Sequence, residues 1–202
     1  MRIKLLRPPQ RPGGKLAIVF DDGSVMKVVP AVAADQGLYD GKELDDEALA
    51  RLQKAASQAS AKSRAVRIIS AAGVSKGELE RRLIQKGETP ADAKNAVTWL
   101  SELNLLDDGQ AARDLVQRGI ARGYGPERLR QMLYEKRIPR EYWDEALSEL
   151  PDQSEQLREF LAQKMGPDPD RKARDKAVSA ALRRGFTWSQ IQSALYELRQ
   201  EL

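Results

Sequence analysis

A helical pattern that repeats about every 50 residues is the feature that most constrains this fold. Gly87, Arg137 and Gly185 can be placed in register at separations of 50 and 48 residues, and a basic residue precedes each of them. The same register aligns three apolar motifs: Ala96–Val97 with Leu100, Ala146–Leu147 with Leu150, and Ala194–Leu195 with Leu198. Repeats of this length are typical of stacked helical units, none of which can bury its apolar face alone. The period therefore predicts three tandem three-helix units, with Val97, Leu147 and Leu195 on buried faces.

Helix start and stop signals divide the chain at the same places. In a capping box, two side chains three residues apart bond the free amide groups of a helix start. Three pairs of residues have this spacing: Ser75 with Glu78, Asp107 with Gln110, and Thr187 with Gln190. Thr89 and Gly125 each precede a proline, which is favoured in the first helical turn. Glycines stand where helices are expected to end, at Gly73, Gly87, Gly123 and Gly185.

The first part of the chain differs from the repeats. Lys15–Phe20 and Val25–Val29 flank an Asp-Gly pair, which indicates a β-hairpin. The acidic residues between Asp35 and Leu52 are better explained by a short helix that starts near Asp45 than by a metal site. We therefore predict an all-α fold, an elongated curved array of nine main helices with a small N-terminal β-hairpin segment. The predicted segments are 1–60 (hairpin and short helix), 61–106 (first repeat), 107–150 (second repeat) and 151–202 (third repeat), with joints at Pro151 and 166–169.

The composition excludes most catalytic chemistry. The chain has no Cys and no His, so thiolate nucleophiles, imidazole acid–base catalysis and the usual zinc ligands are absent. Its acidic residues alternate with basic ones and do not converge on a carboxylate metal centre. No apolar run approaches the roughly 18 residues of a membrane span, and the first residues lack the apolar core of a signal peptide. We expect a cytoplasmic protein that is not an enzyme and uses no cofactor, metal or membrane.

Basic residues are concentrated in two places, although 34 Lys and Arg against 30 Asp and Glu give a net charge of only +4. Arg130, Tyr134 and Arg137 are spaced to share one helix face in the second repeat, and Lys172, Lys176 and Arg183 one face in the third. Such faces bind carboxylates or phosphates, or are simply solvated. The candidate contact residues are Arg128, Arg130, Lys136 and Arg137 in the second repeat, and Arg171, Lys172, Arg174, Lys176, Arg183 and Arg184 in the third.

Two further features have competing interpretations. The amide groups of 125–128, at a predicted helix start, offer an anion site that any helix start shares. Trp99, Trp143 and Trp188 lie beside apolar helix faces, so we expect them to pack in cores rather than to stack on bases.

These segments, in their order, resemble the RecX family of recombination regulators. The similarity begins with the N-terminal hairpin and residues 38–45 and continues through 75–83 and 100–112. It is strongest at Gly125–Ile138 and recurs at Leu182–Thr187. Two positions depart from the family pattern. Ala72–Val74 stands where the family often has an arginine before the first-repeat serine, and Arg137 stands where the family usually has glycine, which takes positive φ more cheaply.

The resemblance implies a regulator that lies in the groove of the RecA nucleoprotein filament and inhibits its recombinase and co-protease activities. It implies the RecA filament as the partner of a monomer, with direct DNA contact left open. The alternative function is a helical-repeat module that binds nucleic acid directly.

Overall fold

The computed structural model describes residues 1–71, 73–167 and 169–200. Its strands are β1 (Ile3–Arg7), β2 (Leu16–Phe20) and β3 (Val25–Val28). Its α-helices are α1 (Pro30–Asp35), α2 (Asp46–Ala71), α3 (Lys76–Gln85), α4 (Pro90–Glu102), α5 (Asp108–Ala121), α6 (Pro126–Glu135), α7 (Trp143–Ser148), α8 (Ser154–Met165), α9 (Arg171–Arg183) and α10 (Trp188–Gln200), and a 3-10 turn at Arg140–Tyr142 precedes α7. The predicted all-α fold with a small N-terminal β segment is confirmed.

The chain forms two compact units. The first comprises Met1–Ala72 and Leu79–Leu105, and the second comprises Gly73–Glu78 and Leu106–Leu202. No helix in the described ranges is both long and apolar enough to cross a membrane.

The N-terminal β segment is a three-stranded antiparallel sheet in the order β1-β2-β3. The hairpin of β2 and β3 is as predicted, but the sequence did not indicate β1 or α1, which begins directly after β3. Ile3, Ile18, Phe20 and Val28 are buried in one cluster with Leu52 of α2. The sheet is therefore stabilised by packing against α2, because a small sheet alone is marginal in water.

Helix α2 corrects the predicted division near residue 60. The sequence indicated a short helix near Asp45 and a separate first-repeat helix from Ala61, but Asp46–Ala71 is one helix of 26 residues. Its alanine-rich sequence contains neither glycine nor proline, so nothing interrupts the backbone hydrogen bonds. The boundary predicted between 60 and 61 falls inside this helix; the other two segment boundaries remain predictions, as does the 166–169 joint, in which Asp168 lies outside the described residues.

In the second unit, α5–α7 and α8–α10 each have a narrow apolar core. Leu129 and Leu133 of α6 are fully buried, and a Cβ added at Gly119 of α5 would overlap the Leu129 side chain. A side chain at position 119 would therefore have to displace Leu129 where α5 and α6 meet. The α8–α10 core contains Leu157, Phe160, Leu161, Ala177, Ala181 and Ile191.

The repeated apolar motif places its alanine, rather than the following residue, deepest in each core. Ala96, Ala146 and Ala194 are 0%, 1% and 3% exposed. Val97 is buried as predicted, whereas Leu147 and Leu195 are only half-buried. Small residues at the closest helix contacts explain how thin cores form from a sequence with few aromatic residues.

The predicted helix caps are present to different degrees. Thr187 and Gln190 form the full reciprocal box, at 2.9 Å and 3.3 Å. Ser75 and Asp107 each accept the expected amide hydrogen bond, from Glu78 at 3.1 Å and from Gln110 at 2.9 Å. Helix α9 is capped by its own Asp170, which accepts from the Ala173 amide at 2.6 Å.

The register positions of the repeat share one backbone conformation. Gly87, Arg137 and Gly185 have φ values of +89°, +52° and +86°, so all three lie in the left-handed region directly after a helix. Arg137 therefore keeps the turn that glycine forms in the other two repeats, at a backbone cost of about 1 kcal/mol or more.

Each of the last two turns docks on the start of the second helix of the preceding repeat. The carbonyls of Arg184 and Gly185 accept hydrogen bonds from the amides of Gly125 and Glu127, at 2.8 Å and 3.0 Å. The Lys136 carbonyl accepts from the Ser75 hydroxyl at 2.5 Å. The turn at Arg184 and Gly185 thus satisfies backbone donors of a helix start, whereas the turn at Lys136 bonds a side-chain hydroxyl.

Candidate functional site

The basic residues around α6, here the α6 cluster (Arg128, Arg130, Lys136 and Arg137), are largely neutralised by neighbouring carboxylates. Three of the four form ion pairs: Arg130 with Glu127 at 2.6 Å, Arg128 with Glu135 at 3.4 Å, and Lys136 with the buried Glu78 at 3.5 Å. A partner's carboxylates would have to compete with these internal ones.

Arg137 does not share a helix face with Arg130 and Tyr134, so that prediction is wrong. Helix α6 ends at Glu135, and Arg137 occupies the left-handed turn beyond it. A Cβ added at Gly77 would lie 2.9 Å from the Arg137 Cβ, so this turn is packed closely on the start of α3. Arg130, Tyr134 and Arg137 are nevertheless all exposed.

The start of α6, which the sequence offered as a possible anion site, already uses two of its amides within the protein. Gly125 is buried, and the amides of Gly125 and Glu127 already donate to the carbonyls of Arg184 and Gly185. The Leu129 amide donates to the Gly125 carbonyl within the helix. The donors that would meet an anion hold the third repeat instead.

The third repeat has an open basic surface, here called the α9 groove. Lys172, Lys176 and Arg183 of α9 line it together with Lys164, from the last turn of α8, and Asp175 is its one acidic lining residue within the described part of the chain. None of the four cations forms an ion pair within 4.0 Å with a carboxylate among the described residues. The groove therefore presents four cations against one carboxylate, none of them in an ion pair with it.

The three remaining candidates of the third repeat have different surroundings. Arg171 is exposed at the start of α9, and Arg174 is half-buried. The Arg184 guanidinium lies 4.0 Å from the centre of the Phe160 ring, so this side chain makes a cation–π contact within the third repeat. None of the three lines the α9 groove.

The sequence interpretation missed Lys164 as a member of this surface. Lys164 is a single cation near the end of α8, separated from α9 by the predicted joint. No local pattern connects it with Lys172. Only the packing of α8 against α9 brings the two into one groove.

The tryptophans are only partly structural. Trp143 is half-buried, and its indole N–H donates to the Ile138 carbonyl at 2.9 Å. Trp99 is also half-buried, and the centre of its ring lies 5.0 Å from the Lys62 ammonium. Trp188, however, is 57% exposed, so its predicted core position is wrong. It occupies the first turn of α10 and faces water.

The described residues contain no group of three or more acidic side chains placed to hold a metal ion. The fold and the two basic surfaces thus define a class: an all-helical repeat protein that offers charged surfaces for binding.

Comparisons with known proteins identify the family. The family model described as "RecX, second three-helix domain" matches residues 107–147. The chain is 31% identical over 139 residues to the regulatory protein RecX of Vibrio parahaemolyticus serotype O3:K6, covering 67% of this chain and 90% of that protein. It is 33% identical over 143 residues to regulatory protein RecX of Cronobacter sakazakii, covering 64% of this chain and 87% of that protein. The chain belongs to the RecX family of regulatory proteins.

Two solved structures share the fold. A crystal structure of regulatory protein RecX superposes with a TM-score of 0.65 at 23% identity, over 95% of this chain and 98% of that one. RecX from Lactobacillus salivarius gives a TM-score of 0.59 at 23% identity, over 71% of this chain and 97% of that one.

Proposed function

We propose that this protein binds the RecA nucleoprotein filament and inhibits its recombinase and co-protease activities. Membership of the RecX family supports a regulatory role, and the excess of unpaired cations in the α9 groove is the observation that supports the contact. We propose further that it acts as a cytoplasmic monomer without catalytic turnover of its own. An inhibitor of this kind favours one filament state only by binding that state more tightly than the others.

The two basic surfaces are not equivalent in this proposal. Lys172, Lys176 and Arg183 can pair with carboxylates of a partner without first losing an internal partner. Arg130 must give up its 2.6 Å contact with Glu127. Charge complementarity raises association rates and fixes register most strongly where charges are free. We therefore assign the main contact to the α9 groove and a supporting contact to the α6 cluster.

The test is inhibition of RecA by charge-reversal variants. The purified protein is titrated into RecA with single-stranded DNA and ATP, and ATP hydrolysis is measured. We expect Lys172→Glu with Lys176→Glu to raise the half-inhibitory concentration at least about tenfold, because reversal adds repulsion to the lost attraction. Arg130→Glu with Arg137→Glu should have a smaller effect, since Arg130 is already neutralised.

A matched control removes the same charge elsewhere. Lys27→Glu with Lys54→Glu alters two exposed lysines of β3 and α2, and should leave inhibition unchanged. All three double variants should keep the helical circular dichroism of the parent, because exposed substitutions usually change stability by less than about 0.5 kcal/mol. Absence of inhibition by the parent at excess would refute the function, and full inhibition by the groove variant would refute the groove assignment.

The second candidate function is direct binding of nucleic acid, which the four cations of the α9 groove also favour. Binding to oligothymidylate without RecA would then weaken steeply with salt, with a slope of about −0.7 per phosphate contacted. Inhibition through RecA would instead follow RecA concentration at constant salt.

A further inference from the structure

A second basic concavity lies in the first unit and uses none of the residues assigned above. This N-terminal depression is formed between the β1–β2 loop and the C-terminal half of α2. Arg11 and Lys15 reach it from the loop side, and Arg67 reaches it from α2. Pro9, Pro12 and Val29 form its apolar walls. None of the described residues that line it is acidic or aromatic.

The loop that carries Arg11 has a specified shape. Pro9 and Pro12 restrict its backbone, and the Gly14 amide closes a turn by donating to the Arg11 carbonyl at 3.0 Å. A Cβ at Gly14 would lie 2.9 Å from that carbonyl oxygen, so the turn leaves no room for a side chain. Lys15 is attached to α2 through a hydrogen bond from its ammonium to the Ser60 hydroxyl, at 2.9 Å.

This arrangement holds like charges together without a direct ion pair. Neither Arg11 nor Arg67 forms an ion pair within 4.0 Å with a carboxylate in the described ranges. The Ser60 hydroxyl that Lys15 bonds donates in turn to Glu88, but that carboxylate is already paired with Arg64 at 2.6 Å. Cations gathered around one concavity repel one another, and an anionic ligand removes that repulsion. The depression is therefore complementary to negative charge.

We propose that the N-terminal depression binds an acidic segment of a partner protein. Arginine binds carboxylates in a bidentate geometry, which two guanidinium groups on opposite sides of the concavity can use. The proline and valine walls suit the apolar side chains that separate the carboxylates of a peptide. Single-stranded nucleic acid fits less well, because its binding sites use aromatic side chains to stack bases and the described lining has none. This proposal does not depend on RecA inhibition.

The test uses the full chain and a fluorescein-labelled peptide of about ten residues in which glutamate and alanine alternate. Fluorescence anisotropy gives its dissociation constant for the parent, for Arg11→Glu with Arg67→Glu, and for the equally charged control Lys27→Glu with Lys54→Glu. We expect at least about a tenfold weakening for the depression variant and less than about a twofold change for the control. The milder Arg11→Gln with Arg67→Gln should give an intermediate loss and serves if charge reversal disturbs folding.

Two further measurements locate the site and identify the ligand. In nitrogen-15 NMR spectra, addition of the peptide should shift the amide signals of Gly13, Gly14 and Ser63. Equal weakening in the depression and control variants, or shifts confined to other residues, would overturn the proposal. Tighter binding of oligothymidylate than of the peptide, lost in the same depression variant, would also overturn it, because the ligand would then be a nucleic acid.

Discussion

Replacement of Gly185 by alanine measures the strength of the joint between the second and third repeats. An alanine held at φ near +86° costs about 1–2 kcal/mol of left-handed strain. Its Cβ would also overlap the backbone nitrogen of Arg128, so the turn must move away from α6. That movement breaks the hydrogen bonds from Gly125 and Glu127, each worth about 1 kcal/mol. We therefore expect a loss of about 3–4 kcal/mol in the free energy of unfolding.

Gly87 provides the matched control for this substitution. It occupies the same register position with φ +89°, but a Cβ added there has no other heavy atom within 4 Å. Gly87→Ala should therefore cost only the backbone strain, about 1–2 kcal/mol. The difference between the two variants isolates the contact of the turn with α6.

The assay combines urea unfolding, followed by circular dichroism, with hydrogen exchange. Gly87 and Gly185 belong to different compact units, so exchange is needed to assign each loss of stability to its own unit. In Gly185→Ala the amides of Gly125 and Glu127 should lose protection, while Gly87→Ala should leave them protected. Equal losses of stability in the two variants, or protected amides in Gly185→Ala, would refute this account of the joint.

Three more predictions follow from individual contacts. Leu129→Ala should lower the free energy of unfolding, measured in urea, by about 2–5 kcal/mol because Leu129 is fully buried. Leu147→Ala should lower it by less than about 2 kcal/mol because Leu147 is only half-buried. Equal losses in the two variants would contradict this burial pattern. Hydrogen bonds from the Ser154 hydroxyl and amide hold the pKa of Asp152 below the ordinary aspartate value. The contribution of Asp152 to stability is therefore present above about pH 3.9 and is lost as the pH falls through the lowered pKa. Ser154→Ala should raise the titration midpoint of Asp152 measured by NMR, and an unchanged midpoint would contradict this cause. Asp170→Ala should destabilise α9 by about 1 kcal/mol and speed exchange of the Ala173 amide, and unchanged exchange would show that the cap is not formed in solution.

The features that could be predicted from the sequence depend on residues close together in the chain. The box of Thr187 and Gln190 needs only a three-residue spacing, and the turn at Gly185 needs only a residue that tolerates positive φ. The basic face of Lys172, Lys176 and Arg183 likewise follows from the helical period alone. Such signals identified the repeats and the open basic surface of α9.

The features that could not be predicted depend on partners distant in sequence. The amides at the start of α6 looked free because their acceptors, Arg184 and Gly185, come about 60 residues later. The ion pair of Lys136 with Glu78 spans two repeats, so the neutralisation of Lys136 could not be predicted from its neighbours in the sequence. Trp188 was assigned to a core because its neighbours are apolar, yet the side chain lies on the outer side of its helix turn. In each case the outcome is set by tertiary packing that no local pattern encodes.

Asp170 has a consequence for how this array could be lengthened. The helix starts at Ser75 and Gly125 each donate a hydrogen bond to the turn of the following repeat, and Ser75 also accepts from the Glu78 amide of its own helix. Asp170, at the corresponding start of α9, accepts from the Ala173 amide in the same way, but its carboxylate has no hydrogen to donate to an incoming carbonyl. An engineered fourth repeat would therefore need Asp170→Gly or Asp170→Ser, together with an incoming left-handed turn to supply the acceptor carbonyls.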